Sequence, residues 1–455
     1  MNLLHKLGLD GAIAYTFLAR AMGIVGSTGT VLLIAHSLSP VEQGFYYTLL
    51  SLVSLQLVFE LGFSFVLQQM AAHECVHLEL SADGSIRGNA KAHARLASIL
   101  QITVRWYTIA ALVMVTLLAP CGFLFFAAHK GENVQWQAPW LFAVCASALG
   151  LWATPLYSFL EGCGEVKAVA AMRLCQSIAA AVMAWSALLA HRGLYAPALV
   201  IIGQTTAGLF FVAQHGRFVR GLLLHRSMLA RVDWAKEIWP FQWRIAVSWL
   251  CSYFTAQAFI PILFWRRGAV EAGQMGMSLS ITGYMIVLVL AWTSTKATPF
   301  GQLIARREYE ELDKFFQRSL GQSLIVFALI ALLALAAVAG LGAKLPAIAH
   351  RMVPFNIFVL LVLAACANCV VQSLATLLRA FKSEPFLVQS LVVAALTLGL
   401  ASISAARWGL LGTAISYVIA TGGVALPSAL RIYARTRRAY LKANEIGLIA
   451  HGEAA

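Results

Sequence analysis

The stretch SLGQSLIVFALIALLALAAVAGLG, Ser319 to Gly342, holds no charged residue over 24 positions. About 20 apolar residues in a helix cross the hydrocarbon core of a bilayer. The run is bounded by YEELDKFFQR (309–318) on one side and Lys344 on the other. A segment of this length, closed at both ends by charge, reads as a membrane-spanning helix rather than a core helix of a soluble domain.

The same reading extends through the chain. Apolar runs of spanning length fall at 12–37, 45–72, 97–126, 139–160, 168–190, 194–214, 240–264, 274–301, 319–342, 353–378, 385–405 and 409–430. Of the 455 residues, 60% are hydrophobic and only 11% charged. Mean hydropathy is +0.78. Soluble domains carry about 25% charged residues, so these residues could not clothe a water-facing surface. The short alternating segments of an outer-membrane barrel are absent. The first run is too long for a signal-peptide core and no small-residue cleavage site follows it, so it is expected to be an uncleaved span. The expected architecture is an all-α membrane protein of about twelve transmembrane helices, arranged as two six-helix lobes around a central cavity. Residues 1–215 form the first lobe, 216–239 a cytoplasmic linker, 240–430 the second lobe and 431–455 a basic cytoplasmic tail.

The net charge of +14 would suggest nucleic acid in a soluble protein. Here the basic residues gather in alternate connections. With the N-terminus inside, 24 of the 33 Lys and Arg residues lie on the inner side and seven on the outer side. That asymmetry sets the orientation. It places both termini in the cytoplasm, the chain in the inner membrane, and no nucleic acid among its partners. The basic and apolar linker GRFVRGLLLHRSMLARVDWAKEIW (216–239) is either an interfacial helix or a solvated connection.

Three short echoes relate the halves. VEQG (41–44) opens the second span and VEAG (270–273) the eighth. Arg20 lies in the first span and Arg244 enters the seventh. HRG (191–193) precedes the sixth span and RWG (407–409) the twelfth. Repeats of this kind are common in transporters.

LSPVEQGFYYTLLSLVSLQLVFELGFSFVLQQMAA (38–72) resembles the first loop and second span of the polysaccharide flippases, within the multidrug/oligosaccharidyl-lipid/polysaccharide exporter superfamily. The element Glu60-Leu61-Gly62-Phe63 carries part of that likeness. FLEGCGEVKAVAAMRLCQS (159–177) resembles that family's loop between spans four and five, and AGQMGMSLSI (272–281) its eighth span. The resemblance covers most of the chain. It implies a two-lobed twelve-helix fold and export of an undecaprenyl-pyrophosphate-linked oligosaccharide for surface polysaccharide synthesis. A polymerase and a chain-length regulator would be its partners. A small-molecule exporter of the same superfamily and a membrane saccharide polymerase or ligase are the alternatives. The enzyme needs an extended outer loop to hold its acceptor, and the longest outer connection, near 127–138, is about a dozen residues.

Charge inside hydrocarbon is costly and usually faces a cavity or a partner. Arg20 and Arg105 lie at similar depth below the inner surface, with Arg173, Arg244 and Lys296 nearer the boundary. Arginine pairs in bidentate fashion with phosphate oxygens. Arg20, Arg105, Arg244 and Lys296 are therefore the candidate pyrophosphate contacts, while snorkelling to headgroups is the simpler reading of Arg173, Arg244 and Lys296. Glu60 is either their counter-ion or a protonatable coupling group. Gln56, Gln101, Gln176, Gln204, Gln257, Tyr253, Tyr284, Asn368 and Gln372 could line sugar-facing surfaces or bond between helices. Gly23, Gly26 and Gly29 offer hinges or close packing, and Pro261 a hinge in the seventh span.

Two motifs mislead. HECVH (73–77) has the H-E-x-x-H spacing that puts two imidazoles on one helix face for zinc. It stands where the second span leaves the membrane, with only Asp83 near as a third ligand. CANC (366–369) lies within an apolar span, where cysteines act as small hydrophobes. No phosphate loop is present. Neither metal, cofactor nor catalytic residue is expected.

Overall fold

A computed structural model describes residues 11–76, 78–80, 86–128, 134–225, 234, 239–344, 346–381 and 385–452. The protein is almost wholly helical, with one short antiparallel ribbon that pairs β1 (Leu78–Leu80) with β2 (Ile86–Gly88). It divides into two compact units, Met1–Tyr253 and Phe254–Ala455.

Unit 1 begins with α1 (Gly11–Ser37). The second span follows in three pieces, α2 (Pro40–Val53), α3 (Gln56–Glu60) and α4 (Phe63–Cys75). A capping box opens α2: Ser39 Oγ accepts from Glu42 N–H, and Glu42 Oε2 accepts from Ser39 N–H at 2.8 Å. The break falls at Leu61 and Gly62, both left-handed with φ of 52° and 65°. Glycine takes that conformation freely, whereas an L-leucine pays about 1–2 kcal/mol. Next come α5 (Ala90–Ala127), α6 (Gln137–Gly162), α7 (Val166–Leu189), α8 (Ala196–Gln214) and the short α9 (Gly216–Leu224).

Small residues set the approach of these helices. A Cβ on Gly26 would touch Ala181 Cβ at 3.0 Å, and one on Gly29 would lie 2.7 Å from the Trp185 ring, so α1 lies close on α7. Trp185 Nε1 donates to the Gly26 carbonyl. Gly23 faces open space. A Cβ on Gly122 would enter the Trp140 ring, whose Nε1 donates to the Ala119 carbonyl. Phe45, Phe126 and Trp140 are fully buried around that point. Within the linker, α9 buries Phe218, Val219 and Leu222 and leaves Arg217 and Arg220 exposed. Gln101 Nε2 clamps its end, donating to the carbonyls of Leu222, Leu223 and His225.

Helix α10 (Trp239–Gln257) runs to the unit boundary. Tyr253 donates its hydroxyl to the Ser51 carbonyl at 3.1 Å, within unit 1. Unit 2 contains α11 (Phe259–Arg267), α12 (Ala269–Ser294), α13 (Ala297–Ala305), α14 (Tyr309–Lys344), α15 (Pro346–Ala349), α16 (Phe355–Arg379) and α17 (Leu387–Val418). A π-turn at Ile419–Ala425 leads into α18 (Leu426–Gly452). Helix α17 folds sharply at Gly409, with φ 53° and ψ −131°. Ser404 and Ser416 hydroxyls meet across the fold at 2.7 Å, and a Cβ on Gly412 would lie 2.5 Å from the Ser404 carbonyl oxygen. Two antiparallel spans therefore meet there. Arg267 caps the first arm, donating to the carbonyls of Ala405 and Ala406.

Nine described helices are long and apolar enough to span, and a pair bent by 45°, Ala246–Gln257 with Phe259–Arg267, makes one more. The run Leu387–Tyr440 is two spans joined at Gly409. The second span, 45–72, is not one continuous helix because Leu61 and Gly62 interrupt it. With these two features the twelve apolar runs each have a helix or a broken helix.

The sequence echoes also meet in space. In unit 1, Gly193 of HRG packs on Leu38 beside VEQG; in unit 2, Gly409 of RWG packs on Glu271 of VEAG. At the end of unit 2, Phe300, Leu312, Phe316, Leu374, Leu377 and Leu378 form a buried core. Asp313, 7% exposed, accepts there from Arg437 Nε and Nη2 and from the Tyr433 hydroxyl at 2.7 Å. The residues following the twelfth span are thus fastened to the start of α14.

Candidate functional site

Three helices of unit 1 each turn a polar stripe toward one point. Gly150, Thr154, Tyr157 and Ser158 on α6 recur at steps of four, three and one, which keeps them on one helix face. Met172, Arg173 and Gln176 do the same on α7, and Ile201, Gln204 and Thr205 on α8. With Gln56 of α3 they line a cavity of about 270 Å3. Ligand pockets run from about 300 Å3 upward, so the space suits one small group and not a chain of them.

The cavity exists because glycine stands where a side chain would fill or crowd it. A Cβ on Gly150 would come within 3.2 Å of Ile201 and 3.3 Å of Thr205. Gly208 leaves room for the Tyr157 hydroxyl, which a Cβ would meet at 2.2 Å. That hydroxyl donates to the Thr205 carbonyl at 3.4 Å. Gln176 Nε2 donates to the Gln204 carbonyl at 3.0 Å, and Thr154 Oγ1 to the Gly150 carbonyl at 2.8 Å. Gln56 Oε1 is buried without a hydrogen-bond partner. Such an oxygen costs about 1–3 kcal/mol when left unpaired.

Arg173 is the cation at the rim. Its Nη2 donates to Glu161 Oε2 at 2.6 Å, with the guanidinium side chain half exposed and the carboxylate largely buried. The carboxylate offsets the arginine charge. What remains is a set of amides and hydroxyls that both donate and accept. Sugar hydroxyls present the same mixture; a phosphate would call for net positive charge.

The residues proposed from sequence fall differently. Arg20 is exposed on α1, six residues and about 120° round the helix from Gly26, which faces α7. Arg105 is exposed on α5. Glu60 ends α3 and hydrogen-bonds Ser64, whose hydroxyl lies 3.1 Å from that of Tyr107. Among the described residues no ion pair joins Glu60 to Arg20 or Arg105. Lys296 belongs to unit 2, between α12 and α13, with Nζ 5.7 Å from the Phe315 ring centre. Arg244 falls within α10, but its side chain lies outside the described residues.

Of the polar residues singled out, Gln56, Gln176 and Gln204 are brought together. Gln101 clamps α9 instead, Tyr253 bonds Ser51, and Asn368 reaches the Tyr417 hydroxyl at 3.5 Å. Arg173 pairs with Glu161, a partner the sequence reading did not name. Thr154, Tyr157, Ser158 and Thr205 are not singled out in the sequence; the periodicity of the first three with Gly150, and of Thr205 with Gln204 and Ile201, was the available signal. In the H-E-x-x-H segment, Glu74 accepts from Arg95 Nε at 2.8 Å, and His77 and Asp83 lie outside the described residues.

Comparison with solved structures decides the fold. A multidrug resistance MATE family transporter of the MOP superfamily, solved inward-facing, superposes with a TM-score of 0.63 at 15% identity, covering 95% of this chain and 99% of that one. The fold is that of the MATE transporters. The lipid II flippase MurJ shares it, with a TM-score of 0.58 at 12% identity over 94% of this chain and 90% of its own. A MATE transporter of Vibrio cholerae gives 0.58 at 15% identity over 95% and 98%. No family model and no curated protein sequence matches the chain.

Proposed function

We propose that this chain is an inner-membrane flippase for a lipid-linked oligosaccharide. The observation that carries the reading is the neutral, polar cavity lined by α6, α7 and α8 of unit 1. Gln56 Oε1 is buried there without a hydrogen-bond partner, which is unfavourable, and a sugar hydroxyl of the headgroup would satisfy it. The likeness to a lipid II flippase supports a lipid-linked substrate. Arg20, Arg105, Arg244 and Lys296 are the proposed contacts to an undecaprenyl pyrophosphate. Glu60, half-buried and hydrogen-bonded to Ser64 with no ion pair among the described residues, fits a proton-coupling role better than that of a counter-ion. Both termini lie in the cytoplasm in this reading, and a polymerase with its chain-length regulator would take the product.

The second reading, a small-molecule exporter, is favoured by the likeness to multidrug transporters. Purified full-length protein in proteoliposomes separates the two. A flippase moves a fluorescent undecaprenyl-pyrophosphate oligosaccharide between leaflets and is thermally stabilised by it more than by undecaprenyl pyrophosphate alone. Transport of a cationic dye with no response to the lipid-linked saccharide would establish the exporter in its place. Polymerised product would point to the enzyme.

A further inference from the structure

We propose that Cys75 and Cys163 form a reversible redox modification site, two thiols that close into a disulfide joining the ends of α4 and α6. The pairing has no motif behind it, since the residues stand 88 positions apart; the packing of the two helices creates it. A Cβ on Gly162 would lie 2.5 Å from the Gln68 carbonyl oxygen and 2.9 Å from Ala71 Cβ. Cys163 is the next residue after Gly162. Cys75 stands four residues beyond Ala71 and therefore one turn further along the same face of α4. The two side chains lie close enough to interact directly.

The surroundings are those of a water-reachable site. Both thiols are half-buried, and polar pairs flank them: the ion pairs of Glu74 with Arg95 and Glu161 with Arg173, and Glu165 facing His215 at 3.9 Å. Gly164, with φ 101°, ends the helix immediately after Cys163. Cys163 N–H donates to the Phe159 carbonyl at 3.0 Å, which fixes the backbone that carries the thiol. The interaction with Cys163 holds Cys75 below the usual thiol range, and the interaction with Cys75 together with burial pushes Cys163 up. Cys75 is therefore the attacking sulfur. The Cys366–Cys369 spacing looks more like a redox motif in sequence, yet it lies in the tenth span.

The oxidant is a low-molecular-weight disulfide of the glutathione type. The Cys75 thiolate attacks one of its sulfurs, the oxidant's S–S bond breaks, and one thiolate leaves and takes a proton from water. Cys163 then loses its proton to solvent and attacks the Cys75 sulfur of the mixed disulfide, expelling the second thiol. Two electrons pass from the protein thiols to the oxidant, and excess thiol reverses both steps. Disulfides of this reversible kind are the ones found on cytosolic faces.

The product fastens the lower half of a broken span. Helix α4 is separated from α3 by the left-handed pair Leu61–Gly62, and the new bond would hold its far end to α6. Glu161, which holds Arg173 at the cavity rim, is two residues from Cys163. Oxidation is expected to slow movement at that rim, an effect on transport that rests on the flippase reading; disulfide formation itself does not.

The test uses full-length protein in detergent, incubated with oxidised glutathione, quenched by acidification, alkylated and digested. The expected result is one cross-linked peptide pair containing Cys75 and Cys163, lost on addition of reduced glutathione. Cys163→Ser should instead accumulate a glutathione adduct on Cys75, whereas Cys75→Ser should leave Cys163 mostly alkylated. The wild-type digest reads the cross-link even if a variant fails to fold. Recovery of both wild-type peptides as free thiols or as separate glutathione adducts would overturn the proposal. Slowed transport by the oxidised protein would tie the site to the flippase. Cross-linking in a protein that moves no lipid-linked saccharide would keep the site and remove the flippase reading.

Discussion

Arg173 and Glu161 form a 2.6 Å ion pair across the turn that joins α6 to α7. The arginine side chain is 53% exposed, so solvent screens the pair and its worth to stability is below about 1 kcal/mol. Its importance is positional, because it aims the guanidinium along the cavity rim. Arg173→Glu and Glu161→Arg should each reduce saccharide export while moving the unfolding temperature little. The double swap should regain most of the export. A swapped protein that folds but stays inactive would mean that Arg173 itself touches substrate.

Gln56 separates packing from binding. Replacing it by Leu removes a buried oxygen that has no partner, so stability should hold or rise by about 1 kcal/mol. A sugar that uses this amide would bind roughly tenfold less well. Thermal unfolding and export measured on the same preparation decide the matter. Unchanged export would leave Gln56 a structural residue.

The glycines of α1 should respond by position. Gly23 has open space around it, so Gly23→Ala should be neutral or stabilising by about 0.5–1 kcal/mol, the helix-propensity gain. Gly29→Ala would push into the Trp185 ring and should cost about 1–3 kcal/mol. Equal effects at the two sites would contradict the packing of α1 on α7.

Asp313 is the most committed carboxylate of unit 2. Arg437→Ala removes two of its hydrogen bonds and leaves Tyr433 and Gln317. A fully buried broken pair costs about 3–5 kcal/mol. The 42% exposure of the arginine side chain reduces the expectation to about 1–3 kcal/mol. Asp313→Asn should cost less than Arg437→Ala, as urea unfolding can show.

Arg20 tests the pyrophosphate reading. Because no ion pair joins it to Glu60, Arg20→Ala should leave the protein level unchanged, and the companion change Glu60→Gln should not be needed to restore it. Loss of one charge-assisted contact, about 1.5–3 kcal/mol, is ten- to hundredfold in affinity. Arg20→Lys keeps the charge but loses the bidentate fork, so export should still fall. Full export by Arg20→Ala would end the role proposed for this residue.

The spans were legible because each must be apolar along its whole length, as Ser319–Gly342 is. Their interruptions were less so. Leu61–Gly62 lies inside an apolar run, and nothing in an apolar run says that its backbone turns left-handed. RWG did mark the fold at Gly409, since a charged residue and a glycine together separate two runs. The cavity was half legible. Gln56, Gln176 and Gln204 stand out as polar residues in spans, whereas Tyr157 and Thr205 pass as ordinary membrane residues until α6 and α8 are placed side by side. Periodicity tells which residues share a face. It does not tell which faces meet, and so the pairing of Arg173 with Glu161 is not legible in the sequence.

The π-turn at Ile419–Ala425 sets the angular phase of everything after it. An α-helix advances about 100° per residue, and the wider turn holds back the residues that follow. Tyr433 and Arg437 consequently arrive on the side of α18 that faces Asp313. Deleting one residue there would rotate α18 by roughly 100° and carry both side chains off the carboxylate, although every residue from Leu426 onward would be unchanged. The wide turn thus works as a dial, and the reading on it determines where the chain's last helix is moored.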